Sequence, residues 1–335
     1  MLLIITALTA GCRMQETKRA IMIYSNILKA VGNTPLIKLN RMTGPNDADV
    51  YVKYEGLNVG GSIKTRTALM MIEEAEKRGD LTEDSIIVEP TSGNQGIGLA
   101  LVSAVKGYKC IIIMPDSVSR ERRYLMRQYG AEVKLVHDAG DIGKAIEACM
   151  DKAMAMAAED PRVYVPNQFS NTDNLLAHTR HTALEILEQV GGPIDGFCSG
   201  VGTGGTITGI GTILREYWPD IKINVAEPAN AAILSGGNIG THLQMGIGDG
   251  LIPDILDTGI YDEITIVTDE EAIHTTKSLA KKEGILCGIS SGTNVAVALK
   301  MARKLGKGKV VVTVLPDTGE RYFSTPLFEL SGIAD

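Results

Sequence analysis

The sequence predicts an α/β protein built from two doubly wound domains with parallel-rich sheets. Three observations carry that prediction. Short apolar runs of strand length alternate with longer amphipathic stretches of helix length along most of the chain. Strand ends run straight into turns rich in Gly, Ser and Thr that open helices, at residues 91–96 and 200–206, and a similar turn at 288–292 opens another helix. The 335 residues are 44% hydrophobic and 22% charged, with 37 glycines, which is enough chain for two cores.

The elements follow in order. Residues 27–38 hold Gly32-Asn33-Thr34-Pro35-Leu36, a turn between a short helix and a strand. Asp49-Val-Tyr-Val-Lys-Tyr54 alternates as a strand. Ser62 is placed to cap a helix over 63–78, whose Ala68, Met71, Ile72 and Ala75 share one face. Lys64 then falls in the first turn, where the helix dipole disfavours a cation. Positive potential lowers the proton affinity of an amine and makes it a better nucleophile, so Lys64 is a candidate for Schiff-base chemistry. A strand over 85–89 leads into Pro90-Thr91-Ser92-Gly93-Asn94-Gln95-Gly96 and a helix over 97–105. Strand 109–114, helix 119–129, strand 132–136 and helix 141–158 follow, and Val163-Tyr-Val-Pro-Asn-Gln168-Phe169 ends this block. A helix over 178–190 precedes the strand 194–199, the turn Gly200-Val-Gly-Thr-Gly-Gly-Thr206, a helix over 207–216 and the strand 222–226. Residues 235–250 are glycine-rich and irregular. Strand 263–268, a capped helix over 269–282, a helix over 293–305 opened by Gly288-Ile-Ser-Ser-Gly292, and strand 309–315 complete the pattern.

Composition excludes several classes. A net charge of −7 argues against a general nucleic-acid binder. Cysteines 12, 110, 149, 198 and 287 are scattered, without a C-x-x-C pair, and read as reduced thiols of the cytoplasm. His178 and His181 share a helix face but lack an acidic or thiolate partner, so no metal site is expected. Residues 1–12 imitate a lipoprotein signal, yet they carry no basic region and their apolar run is short. Residues 1–21 are therefore expected to be dispensable, with translation starting at Met22. No other run approaches the length of a membrane span.

The glycine turn after strand 194–199 is a phosphate seat, since free N–H groups and the positive helix end converge there. Its G-x-G-x-x-G spacing, with Glu227 at the end of the next strand, also suits a dinucleotide-binding dehydrogenase. That reading leaves Lys64 and the 91–96 loop without a task. One phosphate with a distant lysine suits pyridoxal 5'-phosphate instead.

Five motifs are in register with a known family: Asn33-Thr-Pro-Leu36, Ser62-Ile-Lys64, Thr91-Ser-Gly-Asn94, Gly202-Thr-Gly-Gly-Thr206 and Gly288-Ile-Ser-Ser-Gly292. From about residue 24 to 325 the chain resembles the cysteine synthase / cystathionine β-synthase family of fold-type II pyridoxal-phosphate enzymes, nearest the cysteine synthase branch. The resemblance implies a tryptophan synthase β-like fold. Residues 22–56 with 169–335 would form the large cofactor domain, and 57–168 a small mobile domain that closes on the substrate carboxylate. It also implies a homodimer. Lys64 would carry the cofactor aldehyde as an imine. Gly202, Thr203, Gly204, Gly205 and Thr206 would hold the phosphate. Asn94 would bond the ring hydroxyl, and Ser290 would meet the pyridine nitrogen. Thr91 and Ser92, with their loop amides, Gln95 and Gln168, would surround the substrate carboxylate. A serine does not hold the ring nitrogen protonated, which favours β-replacement through an aminoacrylate, with Lys64 as general base.

Three positions depart from the family pattern. Thr65 stands where an acid follows the lysine, Gln95 where a threonine is usual, and Asp249 where the glycine-rich loop carries a small apolar residue. A carboxylate on the nucleophile's side can take a proton from water. The specific expectation is a cysteine hydroxyl-lyase, converting L-cysteine and water to L-serine and hydrogen sulfide, with Asp249 activating the water. The alternative is a cysteine synthase using O-acetyl-L-serine and sulfide. Remoter alternatives are a non-catalytic family member and the dehydrogenase.

Overall fold

A computed structural model describes residues 23–328, other than 92, 141 and 238. The expectations placed on residues 1–21 and on Ser92 lie outside the described residues. Two sheets organise the rest. The six-stranded sheet has the order β1 (Leu36–Lys38), β2 (Asp49–Tyr54), β10 (Val310–Leu315), β7 (Gly196–Gly200), β8 (Lys222–Pro228), β9 (Glu263–Val267). All its pairings are parallel except β1 with β2. The four-stranded sheet has the order β5 (Glu132–Val136), β4 (Lys109–Pro115), β3 (Ile86–Pro90), β6 (Val163–Tyr164), all parallel.

Helices cover both faces of each sheet, which is why the central strands read as unbroken apolar runs. Along β10 the side chains alternate between two cores. Val311 and Leu315 join Val50, Val52 and the helix α9 (Ile289–Leu305) on one face. Val312 and Val314 join Phe197, Val225 and the helix α7 (Gly205–Tyr217) on the other. The smaller sheet repeats the arrangement. Ile87, Cys110, Ile112 and Met114 face α1 (Lys64–Arg78) and α2 (Asn94–Lys106), whereas Ile86, Val88, Ile111 and Ile113 face α4 (Ile142–Glu159). The remaining helices are α3 (Arg120–Gln128), α5 (Asp173–Ala177), α6 (Ala183–Val190) and α8 (Asp269–Ser278).

Local departures from the sequence reading have physical causes. Ser62 does not cap α1: the backbone is already helical at Ile63, and the buried Ser62 hydroxyl makes no hydrogen bond. The helix expected over 178–190 starts at Asp173 and widens into a π turn at His178–Thr182. His178 packs there on Gly209, where an added Cβ would lie 2.7 Å from the His178 Cβ. A second π turn, Leu279–Glu283, ends the helix that begins at Asp269. The cap of that helix is made as expected, with Thr268 Oγ1 accepting from Glu271 N at 3.2 Å. β6 is only two residues long, too short for any periodicity to mark it.

A buried ionic network ties the start of α1 to the larger sheet. Arg66 donates to Glu55 (Nε to Oε2, 2.8 Å) and to Glu185 (Nη1 to Oε1, 2.6 Å). Lys53, wholly buried, donates to Glu185 at 2.6 Å and to the Thr34 carbonyl at 2.7 Å. Desolvation pushes the Lys53 amine down even though Glu185 pairs with it, while the two cations hold Glu185 down at about 2 against its own burial. Among the described residues no helix is long and apolar enough to cross a membrane.

Candidate active site

The carboxyl ends of β3, β7 and β10 meet the starts of α1, α2, α7 and α9 around one cleft between the two sheets. Ligands collect at such strand ends because helix N-termini converge there. The cleft is lined by Lys64, Thr91, Asn94, Gln95, Gln168, Thr203, Asp249 and Ser290. Residues spread over more than two hundred positions of sequence are thus brought together.

The glycine turn is shaped by what it must pass. Gly204 sits in the left-handed region at φ +82°. A Cβ on Gly202 would fall 2.3 Å from the Gly246 carbonyl oxygen, and one on Gly205 would fall 2.2 Å from Asn174 Oδ1. Thr203 Oγ1 accepts from Asn174 Nδ2 (3.1 Å) and from Gly205 N (3.4 Å). Its own O–H is then left to donate toward an anion at the start of α7. Thr206 Oγ1 lies 3.5 Å from His178 Nε2, whose Nδ1 is 3.1 Å from Thr182 Oγ1. Burial, with Lys64 and Arg66 nearby, pushes His178 well below its ordinary proton affinity, so the ring is neutral and orients hydroxyls. Among the described residues no group of three His, Cys, Asp or Glu is set to hold a metal.

Lys64 keeps some surface in the cleft, but its amine is desolvated and pushed down to about 8, against the opposing pull of Asp249. The direction is the one the sequence suggested; burial, rather than the helix dipole, is the main cause. Ser290, buried at the start of α9, lines the same cleft. Asn94 Nδ2 donates to Asp317 Oδ2 (2.6 Å) and its Oδ1 accepts from Arg321 Nη1 (2.5 Å), which fixes the orientation of the amide. Gln95 reaches back to α1: its Oε1 accepts from Thr67 Oγ1 at 2.7 Å and its Nε2 contacts Met71 Sδ at 3.5 Å. Thr91 Oγ1 accepts from Gly93 N (3.2 Å) and from Gln168 Nε2 (3.3 Å). Thr65 is buried with its hydroxyl unbonded, packed against Gly60.

The glycine-rich loop delivers Asp249. Gly248 N donates to the Val201 carbonyl at 2.9 Å, so the loop is fastened to the phosphate turn. Asp249 Oδ2 lies 3.6 Å from where a Cβ on Gly202 would stand. Burial holds this carboxyl above the ordinary range, while Lys64, His242 and Arg122 pull it down. His242 Nδ1 accepts from Gln244 N (3.1 Å), so its Nε2–H donates to the Gly248 carbonyl (3.0 Å) and braces the loop. Glu227 is committed elsewhere. Its oxygens accept from Leu234 N at 2.6 Å and from the Ser235 hydroxyl at 2.7 Å, which removes the acid that a dinucleotide ribose needs.

Sequence reasoning missed Arg122 and Asn174. Arg122, 2% exposed, lines the cleft from α3, donates to Tyr322 Oη at 3.1 Å and lies over that ring at 5.1 Å. It sits in a run of charged residues that reads as a solvated face. Asn174 carries no local signal.

The donor set fits pyridoxal phosphate: a helix start with a free threonine O–H for one phosphate, a depressed lysine in the same cleft, and a buried serine hydroxyl. Comparison with known proteins agrees. The model of the family "Pyridoxal-phosphate dependent enzyme" matches residues 27–317. The cysteine synthase of Staphylococcus aureus (strain Mu50 / ATCC 700699) is 47% identical over 304 residues, covering 90% of this chain and 96% of that one. A hydrogen sulfide-producing enzyme from Fusobacterium nucleatum superposes with a TM-score of 0.85 at 43% identity, covering 90% of this chain and all of that one. A second hydrogen sulfide-producing enzyme, solved as an aspartate-to-asparagine variant with an α-aminoacrylate intermediate, gives a TM-score of 0.83 at 36% identity, covering 92% of each chain. With this cleft, this donor set and these relatives, the chain belongs to the pyridoxal-phosphate dependent enzymes, as a β-replacement enzyme of their cysteine synthase family.

Proposed function

We propose that the protein converts L-cysteine and water to L-serine and hydrogen sulfide. The observation that carries this reading is the half-buried Asp249, its carboxyl held in the cleft beside Gly202 and within the field of the Lys64 amine. The bound cofactor, held by Lys64, the 202–206 turn, Asn94 and Ser290, supplies an electron sink for negative charge at Cα. The chain's own residues do the rest. Thr91, Ser92 and Gln168 with the loop N–H groups grip the substrate carboxylate. Lys64 takes the Cα proton. The C–S bond breaks, and the departing hydrosulfide takes the proton of the Asp249 carboxyl to leave as hydrogen sulfide, which leaves Asp249 ionised for the next step. Asp249 accepts a proton from water as its oxygen bonds to Cβ, and Lys64 returns a proton to Cα. A carboxyl held above its ordinary range is a better proton acceptor than a solvated aspartate, which suits that task.

The second reading is cysteine synthase, favoured by 47% identity to the staphylococcal enzyme. One comparison separates them. The purified holoenzyme is given L-cysteine alone, with sulfide and L-serine quantified, and in parallel O-acetyl-L-serine with sulfide, with L-cysteine quantified. Serine formed in step with sulfide supports the first reading. Cysteine formation alone overturns it. We further propose that residues 57–168, which hold the four-stranded sheet, close on the bound amino acid, and that the enzyme is a homodimer; scattering with and without L-cysteine and sedimentation test these.

A further inference from the structure

We propose that Glu89 is a positioning residue of the amino-acid site: its ionised carboxylate sets the backbone at Asn167 and Gln168 and thereby aims Gln168 at Thr91. The inference rests on reading Thr91 and Gln168 as the substrate-carboxylate grip. Glu89 is an acid inside β3, every residue of which is buried, and its own exposure is 0%. A carboxylate in such a place is costly unless its lone pairs are used. Both oxygens are used, and on one turn: Oε2 accepts from Asn167 N at 2.8 Å and Oε1 from Gln168 N at 3.0 Å. Among the described residues no ion pair reaches it. Asn167 stands in the left-handed region at φ +52°, so the acid holds a backbone shape that most residues avoid.

The turn feeds both halves of the site. Gln168 Nε2 donates to Thr91 Oγ1 at 3.3 Å, closing a ring with Glu89, two residues before Thr91 on the same segment. The Gln168 carbonyl accepts from Asn174 Nδ2 at 2.9 Å, and that amide also donates to Thr203 Oγ1 at 3.1 Å. One buried acid therefore connects the substrate loop to the phosphate turn. Only the ionised form offers a full acceptor to each N–H; protonation turns one oxygen into a donor. Burial pushes the Glu89 carboxyl up to about 7, against the pull of the two backbone N–H groups. Cys110, facing it from β4, is itself pushed up to about 12 and stays a neutral thiol. Lys64 and Asp249 titrate across the cleft, so the pH dependence is read as a difference between wild type and variant.

The experiment is calorimetric titration of the holoenzyme with L-alanine, which lacks a β leaving group, from pH 6 to 8. Wild type is compared with Glu89→Gln, Gln168→Ala and the double variant. Wild-type affinity should fall as pH drops below about 7. Glu89→Gln should weaken binding about tenfold above that pH and flatten this part of the profile. The double variant should bind about as weakly as the weaker single variant, since the two residues act in series. Glu89→Gln affinity and pH profile equal to wild type, or losses that multiply in the double variant, overturn the inference. If Glu89→Gln does not fold, by circular dichroism, Glu89→Asp takes its place: it should weaken binding but keep the pH dependence, and loss of that dependence also overturns the inference. Unchanged binding by Gln168→Ala refutes the grip itself, an outcome distinct from a failure of Glu89 alone.

Discussion

At the scale of single residues the chemistry turns on groups moved off their ordinary proton affinities. Lys64 is pushed down to about 8, so its amine turns neutral, and nucleophilic, well below the usual lysine range. Capture of pyridoxal phosphate by the apoprotein, followed by absorbance, should accelerate with rising pH and level off above about 8. A rate still climbing steeply at pH 10 contradicts the shift. Lys64→Ala should lose turnover by about a thousandfold or more, because the general base is gone. Asp249→Asn should cut serine formation from cysteine by about a hundredfold, the contribution of one general base. Exchange of the Cα proton with deuterated water should persist in that variant, because Lys64 performs it. Equal turnover in Asp249→Asn removes the role assigned to the carboxylate.

At the scale of elements the glycines matter where two pieces of backbone close on each other. Gly202 and Gly205 let Gly246 and Asn174 press against the phosphate turn. Gly205→Ala should leave the fold melting cooperatively while the purified protein loses most of its bound cofactor, measured by absorbance. Full cofactor content would show that the turn tolerates a displaced Asn174. Gly292 is a different case: a Cβ there would meet the Ala272 carbonyl and Thr276 Oγ1, both at 2.1 Å. This contact holds α8 against α9 in the main core. Gly292→Ala is therefore expected to cost about 1–3 kcal/mol of stability or more in denaturant unfolding.

At the scale of the whole molecule the Glu55–Arg66–Glu185–Lys53 network anchors the helix bearing Lys64 to the large sheet. Glu185 is held at about 2, below its ordinary 4.5. A depressed carboxyl stabilises the fold above its unfolded value, and that contribution is lost as pH falls from about 4.5 toward 2. Unfolding free energy should therefore drop through that interval, and Glu185→Gln should lower stability at pH 7 while flattening the acid limb. Removing one partner of a buried pair costs about 3–5 kcal/mol, because the other charges stay buried. An acid limb as steep in Glu185→Gln as in wild type would assign the loss to other groups.

Much of this was legible in the chain itself. Lys64, the 91–96 and 200–206 turns and Ser290 each stand where a turn opens a helix, and such junctions are local: a few residues determine them through φ preference, capping and the free N–H groups of a first turn. The period-two and period-3.6 patterns set most element bounds for the same reason. What the chain could not reveal is which distant groups complete those junctions. Glu89 binds N–H groups 78 and 79 positions away, Asn174 reaches Thr203 across 29, and Arg122 meets Tyr322 across 200. The two π turns, the direction of Gln95 and the missing Ser62 cap also follow from neighbours far along the chain. Local sequence marked the helix start offered to an anion and the helix that bears the amine; only packing of the two sheets decided how deeply the amine is buried, which acid faces it and what holds the 91–96 loop, because desolvation and hydrogen-bond partnership belong to the folded surroundings.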